Sequence, residues 1–169
     1  MGYPSLLVMT DLLTSDSAGS MDITFRPVTR QNFSAVIELT VTPEQADFVS
    51  PNLYSLAEAS IEPSWTPLAI YAGDDLVGFA LFGRDDETGR WWIMRIMIDP
   101  QHQGKGYGTA ALRLLIDLMV ARHGCDEIIL GYAPANDVAG RLYARMGFVP
   151  TGEIMGSEIV AQLSLVKQS

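Results

Sequence analysis

The run Gln103-Gly104-Lys105-Gly106-Tyr107-Gly108 joins an apolar stretch, Ile96-Met97-Ile98, to a segment with helical periodicity. A strand, a glycine-rich turn and a helix N-terminus in that order make an anion site. The first-turn N–H groups have no intrahelical acceptor, and the helix dipole adds partial positive charge. Glycines let a phosphate approach the backbone with no Cβ in the way. Two common phosphate loops are excluded by spacing. A Walker loop needs Ser or Thr directly after its lysine, whereas Lys105 stands between two glycines. The dinucleotide fingerprint would need glycine where Thr109 stands. Spacing alone leaves open that the glycines only make a tight turn.

Other chemistry-bearing residues are scattered. Asn136 and Tyr143 are seven positions apart, about two helical turns, so a helix would put them on one face. Five carboxylates are candidates for a general base: Glu58 and Glu62 near the end of a helix, and Asp85, Asp86 and Glu87 in a turn. Carboxylates of this kind are more often solvated surface groups. His102 falls in the glycine-rich loop, and His123 falls near a helix C-terminus, where an imidazolium is favoured. Neither has metal-ligand spacing, so no metal is expected. Trp91-Trp92 reads as core and sheet cover.

These residues need elements to hold them. Asp22 to Val28 alternates as a first strand, and Asn32 leads into a helix bearing Phe33, Val36, Ile37 and Leu39. Ser50-Pro51 sets a cap before proline at the first helical position. That second helix carries Leu53, Leu56 and Ala57 on one side, Tyr54, Glu58 and Glu62 on another, and ends at Pro63 and Pro67. Leu68–Tyr71 and Leu76–Phe82 flank the turn Gly73-Asp74-Asp75 as a hairpin. Trp91–Ile98 is apolar on both faces except at Arg95, as a central strand should be, and Asp99-Pro100 stops it. A helix striped with Ala111, Leu112, Leu115, Leu118 and Met119 runs to Gly124. Glu127–Tyr132 is a strand, and Asn136–Met146 is a helix stopped by Gly147. Phe148–Ile154 and Glu158–Leu165 close the order β-α-α-β-β-β-α-β-α-β-β around Gly156-Ser157.

Length and composition bound the rest. With 169 residues, 48% hydrophobic and 18% charged, the chain reads as one globular domain. Residues 1–20 read as an extension, because Thr14 to Ser20 is linker-like and Met21 is a candidate alternative start; residues 21–169 read as the domain. Leu6–Met9 has no basic residue before it and makes a poor signal peptide, and no apolar run spans a bilayer. The expectation is a cytoplasmic protein without a membrane partner. The lone Cys125 forms no internal disulfide, which agrees with a reducing compartment. A net charge of −9 argues against nucleic acid and suits a cationic substrate.

The motifs together resemble the GNAT superfamily of N-acetyltransferases. Gln103-x-x-Gly106-x-Gly108 matches its acetyl-CoA signature, with Ile96-x-Ile98-x-Pro100 as the strand leading into it. Asn136 to Phe148 is similar to a second segment of these enzymes, and the element order fits from Asp22 to Leu165. The strings Ser50-Pro51-Asn52, Thr151-Gly152-Glu153 and Glu158-Ile159-Val160 look most like bacterial spermine/spermidine N-acetyltransferases. The resemblance implies an α/β (α+β) fold, a mixed central sheet of about seven strands flanked by about four helices. It implies acetyl-CoA as co-substrate, held by Ile96, Met97, Ile98, Gln103, Gly104, Lys105, Gly106, Tyr107, Gly108 and Asn136. It makes Tyr143 the general acid toward the leaving sulfur. Some relatives carry a Glu in the strand before the loop, where this chain has Met94 and Arg95, so Glu58 is the candidate base, with a water chain as the alternative. The implied acceptor is a small primary amine, a polyamine such as spermine or spermidine. Protein N-termini, antibiotic amines and a non-catalytic CoA-binding sensor are the alternatives. Homodimers are common among such enzymes.

Overall fold

The computed structural model describes residues 21–165, so the expected extension over residues 1–20 lies outside the described residues. The elements are β1 (Ile23–Pro27), α1 (Phe33–Glu38), α2 (Asn52–Ile61), β2 (Trp65–Ala72), β3 (Asp75–Arg84), β4 (Trp91–Ile98), α3 (Tyr107–His123), β5 (Glu127–Tyr132), α4 (Asp137–Arg145), β6 (Val149–Met155) and β7 (Glu158–Ser164). Short 3₁₀ turns stand at Pro43–Gln45 and Pro100–His102. The seven strands form one mixed sheet in the order β1-β2-β3-β4-β5-β7-β6. Every neighbouring pair is antiparallel but one. Between β4 and β5 the chain crosses over through α3, and these two strands run parallel.

That parallel pair is short. Only Trp92↔Ile129 and Ile93↔Leu130 are in register, although β4 continues to Ile98 and β5 to Tyr132. The cause lies on the other edge of β4. Phe82 of β3 faces Ile93, but the next residue back, Leu81, faces Arg95, which leaves Met94 without an opposite number. An extra residue of this kind is a β-bulge, which bends its strand and increases the twist. Beyond Met94, β4 follows β3 and parts from β5.

Each face of the sheet has its own core. The α3 stripe Ala111, Leu112, Leu115 and Met119 is fully buried against Phe82, Ile93, Ile128 and Leu130. On the opposite face Val36 of α1 packs with Ala69, Phe79, Leu81 and Met97. The α3 helix ends at Gly124, whose φ of 60° gives the left-handed C-terminal turn expected of a glycine there. No described helix is long and apolar enough to cross a membrane.

Four local expectations are corrected. The α2 helix buries Asn52 and Ser55 and part-buries Leu56 and Ala59, while Leu53 is 55% exposed. Asn52 earns its place inside by donating to the Val36 carbonyl at 2.9 Å, a polar tether between helices that apolar periodicity does not anticipate. Pro51 is the cap residue itself and not the first helical residue. Pro67 lies within β2; the ladder to β1 has ended at Pro27↔Leu68, so β2 there is paired on one side only. His123 stacks on Trp91 at 4.3 Å, and desolvation, with the nearby Arg122 charge, lowers its pKa instead of favouring the imidazolium.

Two substitutions check this packing. Leu115→Ala should cost about 2–5 kcal/mol by denaturant unfolding, as for a buried leucine with no room to collapse. Leu53→Ala should stay within about 0.5 kcal/mol, as at an exposed position, and a large loss there would restore the expected orientation of α2.

Candidate active site

The parting of β4 and β5 opens a cleft with a cavity volume of about 180 Å³. One wall is Met94 to Ile98, and the facing wall is Gly131 to Ala133 with Asn136, Leu142 and Tyr143. Gln45, Phe48 and Val49, between α1 and α2, also line it. The strand edges left unpaired by the bulge are therefore the cleft walls. Backbone N–H and C=O groups there are open to a ligand.

The glycine-rich loop is fixed to the end of β4. Gln103 donates from Nε2 to the Ile98 carbonyl at 2.8 Å and to Gln45 Oε1 at 2.9 Å. Its side chain thus ties the loop both to β4 and to the 3₁₀ turn at Pro43–Gln45. Gly104 and Gly106 have φ of 75° and 84°, a region costly to any residue with a Cβ. The first helix bond at this end is Ala110 N–H to the Gly106 carbonyl, 3.1 Å, so the N–H groups of Tyr107, Gly108 and Thr109 make up the open first turn. Gly108 lies on the cleft wall, and Lys105, exposed, stands between the two left-handed glycines.

The expected pair on α4 comes together, with different tasks. Asn136 is the N-cap, its Oδ1 accepting from Ala139 N–H at 3.2 Å, so its side-chain carbonyl serves the helix while the residue also lines the cleft. Tyr143 packs between Tyr132, at 5.6 Å, and Phe148, at 6.0 Å edge-on. Its hydroxyl has no hydrogen-bond partner among the described residues. Burial, and secondarily the charge of Glu158, push the phenol up to about 12.

Glu158, the first residue of β7, is the group that sequence reasoning missed as a site residue. It lines the cleft, half-buried, and desolvation raises its pKa, with Arg95 opposing part of the shift. Gly131 leaves room for it. A Cβ there would stand 2.6 Å from Glu158 Oε2, so the carboxylate lies close over β5 as it stands because that position is glycine. A glycine inside an apolar strand signals such a close approach, and Gly131 in Ile128-Ile129-Leu130-Gly131 was the available clue.

Glu58 is placed elsewhere. Its Oε2 accepts from Arg95 Nη1 in a close ion pair, and it does not line the cleft. Glu62, Asp86 and Glu87 do not line it either. Asp85 organises the β3–β4 turn by accepting from Glu87 and Thr88, and the Thr88 hydrogen bond holds its carboxyl below the usual range.

Residues 33–148 match the acetyltransferase (GNAT) family model. The chain belongs to the GNAT acetyltransferase family. It is 34% identical over 140 residues, 79% of this chain and 92% of the relative, to a spermine/spermidine N(1)-acetyltransferase of Bacillus subtilis. Its fold is similar to that of spermidine N-acetyltransferase from Vibrio cholerae in complex with CoA and spermine. There the TM-score is 0.65 at 22% identity, covering 83% of this chain and 93% of that one. It is also similar, with a TM-score of 0.69 at 19% identity, to an aminoglycoside acetyltransferase in complex with coenzyme A, covering 84% and 94%. The seven-stranded sheet with its four helices is the GNAT fold. The chemistry of the cleft suits CoA: open strand-edge amides for a peptide-like arm, and glycines with open helix N–H groups for a pyrophosphate.

Gly106→Val tests that fit. The substitution forces a branched residue to φ 84° and sets its Cβ 2.6 Å from Met21 Cε. The backbone should lose about 1–2 kcal/mol. CoA affinity by calorimetry should fall about tenfold or more, one lost phosphate contact being worth at least 1.4 kcal/mol. Unchanged affinity in a folded variant would remove the loop from the binding site.

Proposed function

We propose that this acetyltransferase moves the acetyl group of acetyl-CoA onto a primary amine of a polyamine such as spermine or spermidine. The observation that carries the chemistry is that the half-buried carboxylate of Glu158 and the Tyr143 phenol line one cleft with the open edge of β4. The amine specificity is supported by the 34% identity to a spermine/spermidine acetyltransferase over most of both chains. An overall charge of −9 further favours encounter with a cation.

Acetyl-CoA supplies an acetyl group activated as a thioester. The chain's residues bind, orient and move protons around it. The open edge of β4 from Arg95 to Ile98 holds the arm through backbone groups and offers N–H donors where negative charge develops on oxygen. Glu158 takes the proton that the attacking nitrogen must lose. Its raised pKa makes it a better base than an ordinary carboxylate. Tyr143, at about 12, stays protonated and faces the departing sulfur as a donor. An ordinary thiol ionises near ~8.5, so a hydrogen bond from Tyr143 suffices to stabilise the leaving group. In this scheme Glu58 does not take a proton; it holds Arg95.

The test uses free-thiol release with spermine, spermidine, putrescine, an N-terminal peptide and an aminoglycoside. Polyamines should show the highest kcat/KM, and clear preference for the peptide or the aminoglycoside would contradict the acceptor assignment. Tyr143→Phe should lower kcat by about 10²-fold or more at similar CoA affinity. For Glu158→Gln the acid limb of the kcat profile, expected above the usual carboxylate range in the native enzyme, should disappear. An unchanged limb would mean another group takes the proton.

A further inference from the structure

Arg95 is the cation that the mechanism does not use. It stands one residue past the bulge, on the wall of the cleft and also of a second lobe lined by Trp92, Phe48, Ser50 and Met155 with Glu158. Its guanidinium is ion-paired to Glu58 of α2 and lies 5.5 Å from the Tyr54 ring, and Arg95 shares the lining of both lobes with Glu158. Its side chain is 14% exposed and that of Glu58 is 26% exposed, so the pair is shielded from the screening that makes surface pairs weak. Two carboxylates and one guanidinium leave this corner with a net charge of −1. A guanidinium paired with one carboxylate and lining the same cleft as a second is chemically what a distal ammonium of the acceptor would be.

Building on the amine-acetyltransferase function proposed above, we infer that Arg95 is a built-in counter-cation that sets how many positive charges the acceptor may carry. With Arg95 in place one carboxylate equivalent is left over for the acceptor. A second or third ammonium has to compete with a guanidinium that is tethered, pre-paired and poorly hydrated. Arg95 is therefore a specificity-determining residue and neither gives nor takes a proton. Removing its charge frees the site for longer, more highly charged amines. Removing Glu58 has the opposite effect, because the released guanidinium is left with Glu158 alone.

The experiment compares spermine with putrescine as acceptors for the native chain, Arg95→Gln, Arg95→Lys and Glu58→Gln. It also measures spermine binding by calorimetry in the presence of CoA. Arg95→Gln should raise the spermine-to-putrescine ratio of kcat/KM about tenfold, the effect of freeing one charge-assisted contact. Glu58→Gln should lower that ratio, and Arg95→Lys should keep it near the native value. Spermine affinity should rise in Arg95→Gln and become more salt-dependent. A merely structural role would depress both acceptors equally and leave the ratio alone. An unchanged ratio with unchanged spermine affinity in folded Arg95→Gln overturns the inference. If the native chain acetylates neither amine, the proposed function falls, and the calorimetric comparison still decides the role of Arg95.

Discussion

One unmatched residue in one strand governs the working part of this molecule. Met94 has no partner on β3, and the bend it puts into β4 ends the parallel pairing with β5 after two residue pairs. Buried strand edges are costly when left unpaired, since each N–H or C=O removed from water without a partner forfeits its solvation. A fold that keeps two open edges at its centre therefore needs a ligand, or water, to complete them. The arm of CoA, with its two amides, is a molecule of the right chemistry to lie along them. Gln103 then fixes the glycine-rich loop to the Ile98 carbonyl, so the loop is held in register with the strand end.

The same parting creates the electrostatics. Tyr143 and Glu158 come from α4 and β7, on the β5 side, and both look into the gap. Desolvation is the largest cause of the shift at each, and it works in complementary senses. It keeps the phenol protonated and makes the carboxylate more basic. Arg95, on the opposite wall, limits the shift at Glu158 and keeps that group from becoming neutral too readily. Neither a loop on the surface nor a fully paired sheet could provide this mixture of burial and access.

Much of this was legible in the sequence, and the reasons are local. The boundaries of β4 and β5 follow directly from apolar runs closed by Asp99-Pro100 and by the residues after Tyr132. The α3 stripe and Gly124 follow from helical periodicity and the chirality of a glycine stop. What the sequence hides is pairing between distant elements. Nothing within Trp91–Ile98 says that Met94 is surplus, because a bulge is defined only against the partner strand. Glu158 lies close over Gly131, twenty-seven positions earlier, in room that the missing Cβ leaves, and neither position shows this alone. Glu58 illustrates the converse, since its helical position is readable but its commitment to Arg95 is not. The turn of α2 was misread for a similar reason: a buried Asn52 tied to the Val36 carbonyl outweighs the outward-facing Leu53.

The central claim is that the gap opened at Met94 is where CoA binds. The most direct measurement is a titration of CoA into isotope-labelled protein, following backbone amide resonances residue by residue. The account predicts large shifts at Arg95 to Ile98 on one wall, at Gly131 and Tyr132 on the other, and at Gly104 to Thr109 in the loop, with β1 and β2 unmoved. Saturable binding that leaves both strand edges unshifted would contradict it.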